Sequence, residues 1–153
     1  MRHLAVIGLG LALATPAAAQ RPDSTMMMLR GGFEEVSAWI TKAAEMVPAD
    51  KYAYKPTSTV RTYGELVAHV ADGYNWYCKN ARGTKTEWSD AVEKGKTDKA
   101  TVTAALKAAL DGCTAAYRNG QMLPLMQNIG HANLHYGNII TYLRMMGMTP
   151  PSS

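Results

Sequence analysis

The sequence predicts an all-α protein, a four-helix bundle with a long crossover between helices two and three. Apolar residues recur at three- and four-residue spacing in four separate stretches, the signature of amphipathic helices. No stretch alternates apolar and polar residues as a half-buried strand does. The polar segment between the second and third periodic stretches, 82–96, is too long for a tight helix–helix turn and suits a connection that runs along a bundle.

The chain has 153 residues and a formal net charge of +4. It opens with a short positive segment, Met1-Arg2-His3, followed by the apolar run Leu4–Thr15. That run has the length of a signal-peptide core and is too short for a membrane span. Ala17-Ala18-Ala19 supplies the small residues of a cleavage site, so residues 1–19 read as a signal peptide and 20–153 as one helical-bundle domain. An uncleaved N-terminal anchor is the alternative. The expected location is periplasmic or secreted, with no membrane attachment after cleavage. Lys and Arg are scattered, with no basic run and no aromatic-interleaved patch, which argues against nucleic-acid binding.

The first helix is expected over Met26–Val47. Phe33, Val36, Ile40, Ala44 and Val47 form its apolar stripe, and Pro48 ends it by forcing the preceding residue out of helical geometry. Residues 49–61 have turn chemistry; Tyr52 and Tyr54 are expected in a short extended piece over the end of the bundle. Thr62-Tyr63-Gly64-Glu65 is a capping box that starts the second helix. Leu66, Val70, Gly73 and Tyr77 form its stripe, with His69 beside it, and the helix runs to about Asn80. Trp88 and Val92 are the residues that would hold the crossover down. The third helix begins near Thr97, with Asp98 at the positive end of the helix dipole. Its stripe is Val102, Leu106, Ala109, Cys113 and Ala116. The fourth helix runs from Met122 to Met146, with Pro124 in its first turn, Gly147 as C-cap and Pro150-Pro151 beyond.

The two cysteines, Cys78 and Cys113, remain in a chain read as exported. An oxidising compartment favours a disulfide between them. If helices two and three run parallel, as a crossover permits, both fall at the same end of the bundle, as a disulfide requires. Two buried free thiols are the alternative. Ten methionines raise a copper-handling reading, but Met at helical spacing is core filler far more often, and no Met-x-x-Met array repeats.

The chemistry-bearing stretch is on the fourth helix. Asn128, His131, His135, Asn138 and Tyr142 recur every three or four residues and form a polar stripe, with Leu134 and Ile139 close by, so the stripe is expected to face inward in part. Polar groups inside a bundle need partners, and one metal ion satisfies two imidazoles at once. Histidines at i and i+4 share one helix face. Of four histidines, His3 leaves with the leader and the remaining one, His69, lies on the inner edge of the second helix. Three imidazoles with an open position are a familiar catalytic zinc set. Solvated or hydrogen-bonded histidines are the plainer reading of the same spacing. The protease zinc helix, the di-iron carboxylate pair and c-type haem attachment are absent as motifs. Glu65 and Asp72 are acid–base candidates on the second helix, with a solvated face the alternative.

Residues 47–72, with Tyr52-Ala53-Tyr54-Lys55-Pro56-Thr57 and Val60-Arg61-Thr62-Tyr63-Gly64-Glu65-Leu66-Val67-Ala68-His69, resemble the DinB-like family of helical-bundle proteins. So does His131-Ala132-Asn133-Leu134-His135-Tyr136-Gly137-Asn138-Ile139-Ile140-Thr141-Tyr142. The resemblance spans nearly the whole chain after the leader. It implies a four-helix bundle with a crossover between helices two and three. It also implies a divalent metal, zinc or nickel, held at the positions matching His69, His131 and His135. Family members of known activity are thiol-dependent transferases and isomerases. This chain departs from the usual pattern in its leader and its cysteine pair.

The expected function is therefore a divalent-metal-dependent enzyme, of hydrolase or thiol-dependent transferase type, acting on a small molecule. Asn128, Asn138 and Tyr142 are candidates to orient the metal's ligand or substrate, with hydrogen bonding inside the bundle as the other role open to them. A non-catalytic metal-binding or structural bundle, in either case with homodimerisation open, is the alternative.

Overall fold

The computed structural model describes residues 24–153, and the signal peptide expected at 1–19 lies outside the described residues. Among the described residues the chain forms four α-helices and no strand: α1 Ser24–Met46, α2 Tyr63–Ala81, α3 Lys99–Asn119 and α4 Met122–Met145. No helix among them is long and apolar enough to cross a membrane.

The helix ends show how local chemistry sets the architecture. Pro48 follows α1 closely, and the last carbonyls of that helix need outside partners. Tyr63 donates its hydroxyl to the Ala43 carbonyl at 2.8 Å, Tyr52 to Ala44 at 2.6 Å, and Lys99 Nζ to Glu45 at 2.6 Å. The end of α1 is thus tied to the start of α2 and the start of α3. These ties need Tyr52 at the end of a 3-10 turn, Ala49–Lys51, rather than in the extended piece expected from the sequence. Thr62 and Glu65 form the expected capping box, Thr62 Oγ1 accepting from Glu65 N at 3.2 Å and Glu65 Oε2 from Thr62 N at 2.6 Å. The Thr62 backbone N–H holds the Glu65 carboxyl below its usual range. Asp98 caps α3 through Thr101 N at 3.1 Å, so α3 starts two residues later than Thr97.

Helices α2 and α3 are parallel neighbours. Gly64 lies at the start of one against Thr97 at the start of the other, where a Cβ would meet the Thr97 carbonyl oxygen at 2.2 Å. Further along, Cys78 and Cys113 are joined in a disulfide, with Cα atoms 5.1 Å apart. The crossover makes this parallel pairing possible. Helix α4 returns antiparallel to α2: Asn128 near its start reaches Cys78, and Tyr142 near its end donates to the Arg61 carbonyl at 2.7 Å. Helix α1 packs on α3 and α4. Phe33 stacks on Tyr117 with ring centroids 4.1 Å apart and meets Tyr74 edge-on at 5.9 Å, while Trp39 stacks on Tyr136 at 5.4 Å.

The apolar stripes of α1 and α3 are buried as their periodicity predicts. On α2 the stripe continues through Tyr74 and Cys78, and Tyr77 is only half-buried. Gly83 at φ +86° and Gly147 at φ +76° turn the chain after α2 and α4, a conformation that costs glycine least.

Candidate metal centre

Helices α2 and α4 pack against each other, and the three histidines meet between them. His69 comes from α2; His131 and His135 come from successive turns of α4. Each offers a ring nitrogen, and the three nitrogens lie within 4.8 Å of one another. Ring centroids are 5.2 Å apart for His69–His131, 4.7 Å for His69–His135 and 4.5 Å for His131–His135. His69 Nε2 and His131 Nε2 face each other at 3.3 Å.

The helices approach closely enough because α2 carries glycine at position 73. A Cβ there would stand 2.3 Å from His131 Cε1 and 2.5 Å from its Nδ1. The imidazole therefore lies directly on the α2 backbone. Trp88 of the crossover covers the cluster from outside, 5.4 Å from the His69 ring and 5.8 Å from His131, and packs on Trp76 behind it. Tyr77 is 5.6 Å from His131 on the same side.

Burial disfavours the charged imidazolium, and so do neighbouring histidines and Arg61. The result is a His131 pKa lowered to about 3 and a His135 pKa lowered to about 4, burial being the larger cause for each. Both rings are neutral at physiological pH and carry a lone pair, the state a metal ligand needs.

Around the histidines is a shell that the sequence did not reveal. Glu93, from the crossover, places Oε2 at 2.8 Å from His69 Nδ1. Arg61 donates from Nε to Glu93 Oε1 at 2.7 Å, and its Nη2 is 3.3 Å from both Glu93 Oε2 and His69 Nδ1. Asp72, only 3% exposed, accepts from the backbone amides of Val92 at 3.0 Å and Glu93 at 2.9 Å. Neither acid–base candidate on α2 is a solvated carboxylate facing the cluster: Glu65 is spent in its capping box and Asp72 anchors the crossover. Nothing in residues 82–96 marks Glu93, because its partners are 24 and 32 residues away in sequence.

The other candidates divide. The Asn138 amide lies 3.3 Å from His135 Nδ1, which leaves Nε2 of that ring unengaged by it. Tyr142 is buried and donates its hydroxyl to the carbonyl of Arg61, whose side chain borders the groove beside the site. Asn128 is fully buried one turn from His131, but its amide donates to Tyr117 Oη at 2.9 Å and to Cys78 Sγ at 3.7 Å. Leu134, expected beside the stripe, is 65% exposed; Ala132, Tyr136 and Ile139 supply its buried apolar flank.

His69, Asp90 and Glu93 form a second group with metal-ligand geometry. Its carboxylates already hold cations: Lys94 is 3.1 Å from Asp90, and Arg61 is on Glu93. That group is an ion-pair network, whereas His131 and His135 have no carboxylate partner among the described residues and the one on His69 is Glu93. A groove of about 490 Å³ opens beside the site, bordered by Arg61, Glu93, Asn138 and Tyr142. Larger apolar hollows of about 560 and 700 Å³ run between α1 and α3, away from the histidines. Scans against protein-family models and against curated proteins return no match for this chain.

Proposed function

We propose that this chain is an exported, divalent-metal-dependent enzyme of the DinB-like type, with zinc or nickel held by His69, His131 and His135. The observation that carries the reading is the meeting of three imidazole nitrogens within 4.8 Å, with two of the rings held neutral. Neutral nitrogen donors suit zinc and nickel better than hard, oxygen-preferring cations. The glycine cradle at position 73 supports it further, since the atoms an added Cβ would meet first there all belong to the His131 ring. The disulfide and the leader motif support export to an oxidising compartment, the periplasm or the exterior.

A divalent ion bound there would supply Lewis-acid chemistry, activating a small nucleophile near neutral pH. The chain's own groups shape what reaches it. Trp88 shields the cluster on one side, and the groove beside Arg61 and Asn138 offers a polar approach for a small molecule. Hydrolysis and thiol-dependent transfer both fit this arrangement. One observation favours the alternative of a non-catalytic metal-binding bundle: each carboxylate near the histidines is already engaged, Asp72 by backbone amides, Glu93 by Arg61 and His69, and Asp90 by Lys94 and Trp88.

The test is elemental analysis of protein purified without a metal-affinity tag. We expect about one divalent transition-metal ion per chain, from one set of three donors. A His131→Ala, His135→Ala double variant should carry none. Equal metal content in the double variant would overturn the site.

A further inference from the structure

We propose that Glu93 is a positioning residue that fixes the tautomer of His69, and that Asp72 is the buried anchor that places Glu93. The proposal deepens the three-histidine reading and rests on it for its effect on metal binding.

His69 Nδ1 has two polar neighbours that demand opposite states of the nitrogen. Arg61 Nη2, at 3.3 Å, can only donate and would need a lone pair on Nδ1. Glu93 Oε2, at 2.8 Å, accepts when ionised and needs a proton on Nδ1. The shorter, charge-assisted contact decides. A carboxylate oxygen facing a nitrogen lone pair at that distance would be repulsive, whereas Arg61 loses nothing because its Nε and Nη2 both bond to Glu93. Nδ1 therefore carries the proton. In the neutral ring Nε2 then keeps the lone pair, and Nε2 is the nitrogen turned toward His131. An unrestrained imidazole favours the opposite tautomer, so Glu93 holds His69 in the form that can ligate. Outer carboxylates commonly do this for ligating histidines.

Glu93 can act only if the crossover is held in register. Asp72 is three residues from His69 on the same helix, and it accepts the amides of both Val92 and Glu93. A buried carboxylate is costly unless fully hydrogen-bonded, and two consecutive backbone N–H groups supply that here. One turn of α2 thus carries both the ligand and the group that positions its partner. Arg61, just before the capping box, closes the arrangement by neutralising Glu93.

The experiment has two readouts on the full folded chain. The first is nitrogen-15 NMR of the metal-free protein, which distinguishes imidazole tautomers. His69 should be protonated at Nδ1 in the parent and at Nε2 in Glu93→Ala, with Glu93→Gln keeping the parent form through its amide oxygen. The second is zinc affinity by chelator competition. Glu93→Ala should weaken zinc by about 10–100-fold, and Glu93→Gln should restore part of that loss. Asp72→Asn should speed hydrogen exchange at the Val92 and Glu93 amides and weaken zinc in the same range, with helix content unchanged by circular dichroism. Parent-like tautomer and zinc affinity in Glu93→Ala would overturn the proposal. If the parent itself binds no zinc, the three-histidine reading fails, and the tautomer measurement still decides the role of Glu93.

Discussion

At position 73 the side chain is a hydrogen atom, and an added Cβ would overlap the His131 ring at 2.3 Å. The ring is a rigid body lying on helix backbone, so a methyl group must displace it or spread α2 from α4. We expect Gly73→Ala to lower the stability of the metal-free protein by about 1–3 kcal/mol, the usual range for overpacking. Ala is a better helix former by up to about 1 kcal/mol, which offsets part of this. Zinc affinity should fall although no ligand has changed, and thermal unfolding paired with chelator competition checks both. Unchanged affinity would show that the ring has room to move. Single residues were unevenly legible from the sequence. His131 and His135 announced themselves because i, i+4 spacing fixes a shared face whatever the tertiary structure, and His69 was placed by its position beside the apolar stripe of α2. Gly73, Arg61 and Glu93 did not, since their roles arise from the approach of a distant helix and the path of a loop. Asn128 shows the converse: it falls in the polar stripe by spacing, yet depth along the helix places it against Tyr117 and Cys78.

Among the elements, the four helices were readable because caps and prolines act locally, as the Thr62–Glu65 box and Pro48 do. The parallel pairing of α2 and α3 was readable only as a consequence of crossover length. The route of the crossover over the site was not, because it depends on Asp72 being buried rather than solvated. The disulfide fixes that parallel pair across a sequence separation of 35. In the chain-entropy account, a loop of that size contributes about 3–4 kcal/mol through the unfolded state. A Cys78→Ala, Cys113→Ala variant should lose about that much, measured as a lower urea midpoint with a steeper slope, because the unfolded chain without the bridge exposes more surface. It should keep its zinc affinity, because the bridge lies beyond the histidine cluster along α2 and touches none of the rings. A loss of zinc affinity with the fold intact would mean that the bridge also sets the α2–α4 spacing at the site.

For the molecule as a whole, the rings of His131 and His135, placed between α2 and α4, make folding depend on their protonation. Unfolded histidines take up a proton near the ordinary value of 6.5, but the folded chain resists until about 4 at His135 and about 3 at His131. Between those limits the unfolded chain binds more protons than the folded one. Stability therefore rises with pH across this window, and acidification from neutral pH lowers it. The depressed carboxylates act lower down: Glu65, held by Thr62, Asp90, held by Trp88, and Asp98, held by Thr101, lose their stabilising contribution only as pH falls below the ordinary carboxylate range. The interval between about pH 6.5 and 4.5 thus reports mainly on the buried histidines. Urea unfolding of metal-free protein across that interval should show the midpoint falling steadily with acid. Replacing His131 with Gln, which keeps a polar planar side chain but does not titrate, should flatten the decline. If the parent midpoint is level across the interval, the imidazoles are protonated in the folded state, and the cluster is more hydrated than its close packing against Gly73 and Trp88 implies.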